Sequence, residues 1–181
     1  MRLFVALLPP PAVRAELAAL AGPLSGVRWS PEANLHLTLR FIGEVSPEML
    51  GDFETALAGV RVEPFVLPVS GIGVFPSRGP AKVLWVGTGH GHTRLHQLRK
   101  QVDEALLAVD PALEVRSFHA HFTLGRMAEP GDPKALAKFT AHHASFEAPP
   151  FRVAEFSLMA SEFQPAGPPA YRIVRTFALV R

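Results

Sequence analysis

One stretch decides the fold of this chain: Leu35-His36-Leu37-Thr38-Leu39-Arg40-Phe41-Ile42-Gly43. Its apolar residues occupy one parity, whereas His36, Thr38 and Arg40 fall on the other. Alternation with a period of two predicts a β-strand that is buried on one face. The open face then carries an imidazole and a hydroxyl about 6.7 Å apart along the strand.

The same pattern returns in the second half of the chain as His121-Phe122-Thr123-Leu124-Gly125-Arg126. A single His-x-Thr strand more often holds a partly buried histidine with a structural role. Two copies with Leu after each Thr, in opposite halves and both on strand-like alternation, reverse that judgement. We therefore treat the two His-x-Thr-Leu motifs as one functional unit.

The composition restricts the class of protein. The 181 residues are 48% hydrophobic and 19% charged, which is enough for a packed core. The net charge of +2 does not by itself indicate a nucleic-acid partner. The absence of cysteine excludes disulfides and thiolate nucleophiles. The apolar N-terminal run stops at Pro9 and is too short to span a membrane, so we expect a cytoplasmic protein that does not bind membranes.

Predicted strands alternate with predicted helices along the chain. Strands are predicted at residues 2–8, 27–29, 83–86, 151–159 and 171–180, and an imperfectly alternating stretch at 65–74 is broken by Gly71 and Gly73. Helices are predicted at 11–21, from 46 onward, at 93–109 and at 133–142. The order strand, helix, His-x-Thr strand, helix recurs in each half. The sequence thus predicts one α+β domain, residues 1–181, made of two intertwined lobes that each supply one motif to a shared cleft.

Two histidines that face one cleft suit general acid–base catalysis near neutral pH. One imidazole can take a proton from water while the other, as imidazolium, gives one to a leaving oxygen. The hydroxyls of Thr38 and Thr123 lie on the same strand faces and could donate to phosphate oxygens. This set fits attack by water on a phosphodiester, and it requires no metal, no cofactor and no nucleophilic side chain.

Two arginines are further candidates for the cleft. Arg40 shares the parity of His36 and is expected to face the cleft directly. Arg126 lies five residues after His121, which puts it on the opposite face of an uninterrupted strand. A bulge at Gly125 would return its guanidinium to the cleft. For both arginines the alternative is a solvated surface position.

The remaining histidines carry weaker signals. His119 shares the parity of His121 and is a candidate for the rim of the cleft. His92 and His96 have the i, i+4 spacing of some zinc sites but lack the accompanying glutamate, so a solvated helix start is favoured. His142-His143 stands at a predicted helix end, where positive charge complements the helix dipole, and implies no site.

The paired motifs resemble those of the 2H phosphoesterase superfamily, and the chain is similar to the bacterial RNA 2′,3′-cyclic phosphodiesterases, historically called 2′-5′ RNA ligases. The resemblance covers nearly the whole chain. It extends to the opening strand, the Trp29–Glu44 block, the middle hairpin around Gly73–Val86 and the final loop from Gly167 to Tyr171. It implies a bilobal, pseudo-symmetric fold, with two antiparallel sheets lining a central cleft and helices outside.

The resemblance also implies an activity: metal-independent hydrolysis of RNA 2′,3′-cyclic phosphate ends to 2′-phosphomonoesters. His36 would be the proton donor and His121 the proton acceptor. Thr38, Thr123 and Arg126 would bind the phosphate. The alternation itself does not distinguish acid from base, because the pair is symmetric in sequence.

Other functions stay open at this point. Relatives join RNA ends reversibly through a 2′-5′ linkage, and some bind nucleoside triphosphates; the sequence decides neither. Small cyclic nucleotides or 2′-5′ oligonucleotides are alternative substrates for the same site. A nucleotide- or RNA-binding module without turnover is the alternative from another class. We expect a monomer whose partner is RNA with a 2′,3′-cyclic phosphate terminus.

Overall fold

The computed structural model describes residues 1–89, 92–114, 117–128, 132–165 and 167–181. The strands are β1 (Arg2–Leu7), β2 (Val27–Trp29), β3 (Leu37–Glu44), β4 (Phe65–Ser70), β5 (Ile72–Phe75), β6 (Val83–Gly87), β7 (His121–Met127), β8 (Glu147–Val153), β9 (Glu155–Glu162) and β10 (Ala170–Ala178). The α-helices are α1 (Pro11–Ala18), α2 (Leu50–Ala58), α3 (Thr93–Val109) and α4 (Pro133–His142).

Over the described ranges, eight strands form one antiparallel sheet and two form another. The large sheet has the order β10-β9-β1-β3-β7-β6-β5, and β2 pairs with β7 next to β3. The small sheet consists of β4 and β8. The predicted α+β class with two antiparallel sheets is therefore confirmed. Both His-x-Thr motifs belong to the large sheet, where β3 and β7 are direct neighbours.

The break predicted at Gly71 within residues 65–74 is confirmed, whereas the prediction of a single strand at 151–159 was wrong. Residues of two strands lie in each of these stretches. The first strand of each, β4 or β8, belongs to the small sheet, and the second, β5 or β9, belongs to the large sheet. Gly71 separates β4 from β5 with a φ of +79°, a conformation that favours glycine. Prolines 149 and 150 fit β8, since it pairs only with β4 in the described part of the chain and proline removes a ladder donor.

The helices cover one face of the large sheet. Leu37 of β3 and Phe122 of β7 are fully buried on this side, in one apolar cluster with Leu98 and Val102 of α3. The bounds predicted for α3 and α4 are confirmed, whereas α1 ends at Ala18 rather than at residue 21. No helix in the described ranges is long and apolar enough to cross a membrane.

Candidate active site

The two motifs meet at the centre of the large sheet. Leu37 lies opposite Phe122 in the antiparallel pair β3–β7. One residue to either side, the same register sets His36 beside Thr123 and Thr38 beside His121. Because Leu37 and Phe122 point into the core, the flanking histidines and threonines point to the opposite face. A local two-fold axis thus relates two His-Thr pairs on one open surface.

Both imidazoles are held by the same local hydrogen bond. Nδ1 of His36 donates to the backbone oxygen of Asn34, and Nδ1 of His121 donates to that of His119, each at 2.6 Å. A carbonyl oxygen can only accept, so Nδ1 carries the proton in each ring. In the neutral form Nε2 is then a free acceptor, and in the charged form it is a donor. This is the arrangement that a general base and a general acid require.

The environment favours the neutral form of both rings. Burial lowers the pKa of His36, and the positive charges of His121 and Arg126 lower it further, while the bond to Asn34 opposes the shift. Burial likewise lowers the pKa of His121, assisted by the charges of His119 and Arg126 and opposed by the bond to the His119 backbone. A bound phosphodiester anion would counter these charges and favour imidazolium.

Aromatic side chains form the surroundings of His36. The ring of Phe4 lies 5.0 Å from the imidazole, and that of Tyr171 lies 5.1 Å away in an edge-to-face contact. Phe4 and Tyr171 also pack edge-to-face on each other at 5.1 Å. Together with Ala6 and Met159 they belong to a small apolar cluster separate from the main core. These contacts fix the ring plane of His36 and supply the burial that lowers its pKa.

A second aromatic group surrounds His121. Phe75 contacts its ring edge-to-face at 5.1 Å, and Trp85 lies 6.4 Å away. Phe75 and Trp85 are stacked on each other at 5.1 Å. The indole lies over Gly73 of the neighbouring strand, where a Cβ would overlap its ring atoms. The absence of a side chain at Gly73 therefore lets Trp85 lie flat beside the histidine.

A bulge in β7 brings Arg126 to the open face. Trp85 of β6 pairs with Thr123, but Leu84 pairs with Gly125, so Leu124 has no partner in this register. The extra residue reverses the parity, and Arg126 shares the face of Thr123. The guanidinium lowers the pKa of His36, His121 and Tyr171, which indicates that it lies within electrostatic reach of all three. Gly125 itself is close to β2, where a Cβ would collide with Val27.

The expectation that Arg40 faces the cleft was wrong. β3 has its own bulge, since Thr38 pairs with Ala6 but Arg40 pairs with Val5 on the core side. Arg40 is 3% exposed, and its Nη1 lies 3.3 Å from Oδ1 of Asp103 on α3. Simple alternation failed here because the inserted residue reverses the side on which Arg40 and Phe41 lie, before a second register shift between Phe41 and Gly43.

Asp103 also forms an ion pair with Arg99, one turn earlier on α3. Burial and the charge of Arg40 lower the pKa of Arg99 to about 10. Its guanidinium lies 5.5 Å from the ring centre of Phe118. Arg40 is therefore part of a charged cluster that fastens β3 to the helix behind the sheet, and it does not contact the open face.

The bulge in β3 places a different residue on the open face. Phe41 pairs with Phe4, their rings lie 6.1 Å apart, and Phe41 is 57% exposed. It occupies the position in β3 that Arg126 occupies in β7, five residues after the motif histidine. One edge of the site therefore carries a cation and the other an exposed aromatic ring, which breaks the local two-fold symmetry.

His119 lies at the rim, next to His121. Its ring contacts Phe75 at 4.9 Å and Trp85 at 5.0 Å, while its backbone oxygen holds the His121 imidazole. The aromatic residues around the histidines and the supporting residue Asn34 were missed by sequence reasoning. Gly125 is the sequence signal of the bulge after the second motif, whereas no residue marks the bulge that places Phe41 on the open face.

His92, His96, His142 and His143 make their contacts away from the open face. His92 bonds to the backbone oxygen of Val66, and His96 packs edge-to-face on Phe118. His142 and His143 contact each other at the end of α4. Across the described ranges there is no group of three or more histidine, aspartate or glutamate side chains that could hold a metal ion.

Both halves of the chain match one known protein family. The family model of LigT-like phosphoesterases matches the chain twice, over residues 7–85 and 86–170, and each match contains one His-x-Thr-Leu motif. The chain belongs to the LigT-like phosphoesterase family. The resemblance to the 2H phosphoesterases is therefore confirmed, and the protein is an enzyme of this family.

Individual members of the family are similar over almost the full length. An RNA 2′,3′-cyclic phosphodiesterase of Archaeoglobus fulgidus is 34% identical over 181 residues, which span 98% of this chain and 99% of the relative. A crystal structure from Thermus thermophilus is similar with a TM-score of 0.84 and 26% identity, covering 99% and 98% of the two chains. Escherichia coli LigT in complex with 3′-AMP has a TM-score of 0.77 and 28% identity, with the same coverage of 99% and 98%.

Proposed function

We propose that this phosphoesterase hydrolyses 2′,3′-cyclic phosphate ends of RNA to 2′-phosphomonoesters, without a metal ion. The observation that carries the proposal is the pair of imidazoles on one open face of adjacent strands, each with Nδ1 bound to a backbone oxygen, which leaves Nε2 as the nitrogen for proton transfer. Relatives of similar length that are named RNA 2′,3′-cyclic phosphodiesterases support the choice of substrate.

In the proposed mechanism, His121 takes a proton from water through Nε2 as the water oxygen attacks phosphorus. The bond between phosphorus and the 3′-oxygen breaks on the far side, and the imidazolium of His36 gives its Nε2 proton to that oxygen. The product carries a 2′-phosphate and a free 3′-hydroxyl. Thr38, Thr123 and Arg126 bind the non-bridging oxygens, on which negative charge accumulates during attack.

The same residues would catalyse joining of RNA ends when a 5′-hydroxyl takes the place of water: its oxygen attacks phosphorus, the bond to the 3′-oxygen breaks, and a 2′-5′ linkage with a free 3′-hydroxyl forms. In water, hydrolysis is the favoured reaction.

Since one chain supplies both motifs, we further propose that the enzyme acts as a monomer, with residues 1–181 forming one domain of two intertwined lobes. We place its activity in the cytoplasm, and include nucleoside triphosphates among the ligands, given that Escherichia coli LigT has been crystallised with ATP.

The deciding experiment is turnover of an RNA with a 2′,3′-cyclic phosphate end in excess chelator, followed by ³¹P NMR of the product. We expect undiminished turnover and a 2′-monophosphate as the only product. Loss of activity in chelator would contradict metal independence. Turnover of mononucleoside 2′,3′-cyclic phosphates but not of RNA would favour the small-nucleotide alternative. Binding of the RNA without turnover would favour the binding module.

The pH profile of the reaction is the second expectation. Activity requires His121 neutral and His36 protonated. As the pH rises, kcat/KM should therefore increase when His121 loses its proton and decrease when His36 loses its proton. Because burial lowers the pKa of both free-enzyme histidines, the maximum of kcat/KM should lie below pH 6.5. The bound anion favours imidazolium, so the maximum of kcat should lie at higher pH than that of kcat/KM. Steady-state kinetics from pH 4 to 9 test this, and a kcat/KM that keeps rising above pH 8 would contradict it.

A further inference from the structure

We propose that Asn34 is a positioning residue that ties the orientation and tautomer of His36 to the loop joining β9 to β10. This role deepens the proposed function, since it concerns the residue assigned there as the general acid. Asn34 forms hydrogen bonds through its backbone N–H, its backbone oxygen and its side-chain amide, and one of these three bonds goes to His36.

The three bonds fix Asn34 from separate directions. Its backbone N–H donates to the oxygen of Pro31 at 2.8 Å, which closes the short 3₁₀ turn at Glu32–Asn34. Its backbone oxygen accepts from Nδ1 of His36 at 2.6 Å. Its side-chain Nδ2 donates to the oxygen of Pro169, 135 residues further along the chain, at 2.9 Å. The carbonyl that sets the tautomer of His36 therefore belongs to a residue anchored to the final loop.

The same segment reaches His36 by a second route. Pro169 immediately precedes β10, and Tyr171 at the start of β10 places its ring edge-to-face on the imidazole at 5.1 Å. Tyr171 is in turn held by its register with Ser161 of β9. The beginning of β10 thus supports both the ring and the hydrogen-bond acceptor of His36.

His121 has the same kind of bond to a backbone oxygen as His36, but the residue that supplies this oxygen is held differently. His119 offers its backbone oxygen to His121, yet its side chain packs on Phe75 and Trp85 rather than forming a long-range hydrogen bond among the described contacts. The two histidines are therefore equivalent in tautomer and different in what holds them. A change at Asn34 should affect His36 alone, which makes His121 an internal reference in the same molecule.

The test compares Asn34→Ala with wild type by NMR of ¹⁵N-histidine-labelled protein, in which the ring-nitrogen shifts report the tautomer. Losing the bond to Pro169 frees the Asn34 carbonyl to move, so His36 should become a mixture of Nδ1–H and Nε2–H forms, with His121 unchanged. In kinetics, kcat should fall by roughly 10-fold or more with little change in KM, as expected when a catalytic group is misplaced.

Gln101→Ala is the matched control. Gln101 also bonds a backbone carbonyl far away in sequence, through Nε2 to the oxygen of Arg61 at 2.8 Å, and this contact lies outside the site. The proposal is overturned if Asn34→Ala leaves the His36 shifts or kcat unchanged, if His121 shifts equally, or if Gln101→Ala has the same effect. If the wild type does not turn over RNA, the proposed function fails, while the tautomer comparison still decides the positioning role.

Discussion

Replacing His121 or His36 with alanine is expected to lower kcat on an RNA 2′,3′-cyclic phosphate by about 10²- to 10⁴-fold, the usual contribution of one general acid or base. Each variant removes one of the two imidazoles whose Nδ1 donates to a backbone oxygen. The proposed acid or the proposed base is then missing from its side of the phosphate. Single-turnover kinetics with saturating enzyme measure this loss without interference from product release.

The two variants should respond differently to the leaving group. A phosphodiester that releases nitrophenolate needs no proton donor, so His36→Ala should regain much of its activity on such a substrate. His121→Ala should not, since the attacking water still requires a base. Equal recovery in both variants would contradict the assignment of acid and base.

His142→Ala is a suitable control for the loss of a histidine as such. His142 is exposed at the end of α4 and contacts His143 rather than the open face. Its removal should leave kcat unchanged. Wild-type activity in either His36→Ala or His121→Ala would reject the two-histidine mechanism altogether.

The two motifs illustrate how far sequence reasoning extends on this chain. Alternation correctly predicted that His36 and Thr38 share an open face, because the strand is regular from Leu37 to Thr38 and Leu37 needs burial. It could not predict that β3 and β7 are direct neighbours. That contact joins residues far apart in sequence, and strand pairing depends on tertiary packing rather than on local pattern.

Single inserted residues decide the side on which both arginines lie, and the one at Leu39 explains the error at Arg40. A bulge at Leu39 moves Arg40 into the core, and a bulge at Leu124 moves Arg126 onto the open face. The glycine at 125 marks the second bulge in the sequence, whereas the first has no glycine and gave no warning. A bulge adds one residue to the strand but reverses the side of the residues that follow it, so the alternation rule places Arg40 on the wrong face.

The aromatic residues around the histidines could not be assigned from sequence for a related reason. Phe4 lies in a strand that is apolar throughout, and such a run does not reveal which residues face the site. The structure separates the two sets, with Leu3 and Val5 in the main core and Phe4 with Ala6 in the small cluster beside His36. Alternation is informative only where one face of the strand is polar.

Replacing Thr38 or Thr123 with valine is expected to lower kcat by about 10²- to 10³-fold each, the cost of removing one donor to a transition-state oxygen. Valine keeps the volume and the β-branched shape, so the strands and both histidines should stay in place. The antiparallel register sets each hydroxyl beside the histidine of the other motif, which puts one donor on each side of the phosphate. Rates measured with saturating substrate report this loss.

The double variant separates two arrangements of the threonines. If Thr38 and Thr123 donate to different non-bridging oxygens, their effects on the activation free energy should add; if both serve one oxygen, the double variant should cost less than the sum. Thr55→Val is the control, as the Thr55 hydroxyl bonds to Gly51 within α2 and lies outside the site.

An increase in KM at unchanged kcat in both single variants would mean that the hydroxyls bind substrate without stabilising the transition state. The charge on the phosphate would then be stabilised by Arg126, which the β7 bulge brings to the open face, and by the imidazolium of His36.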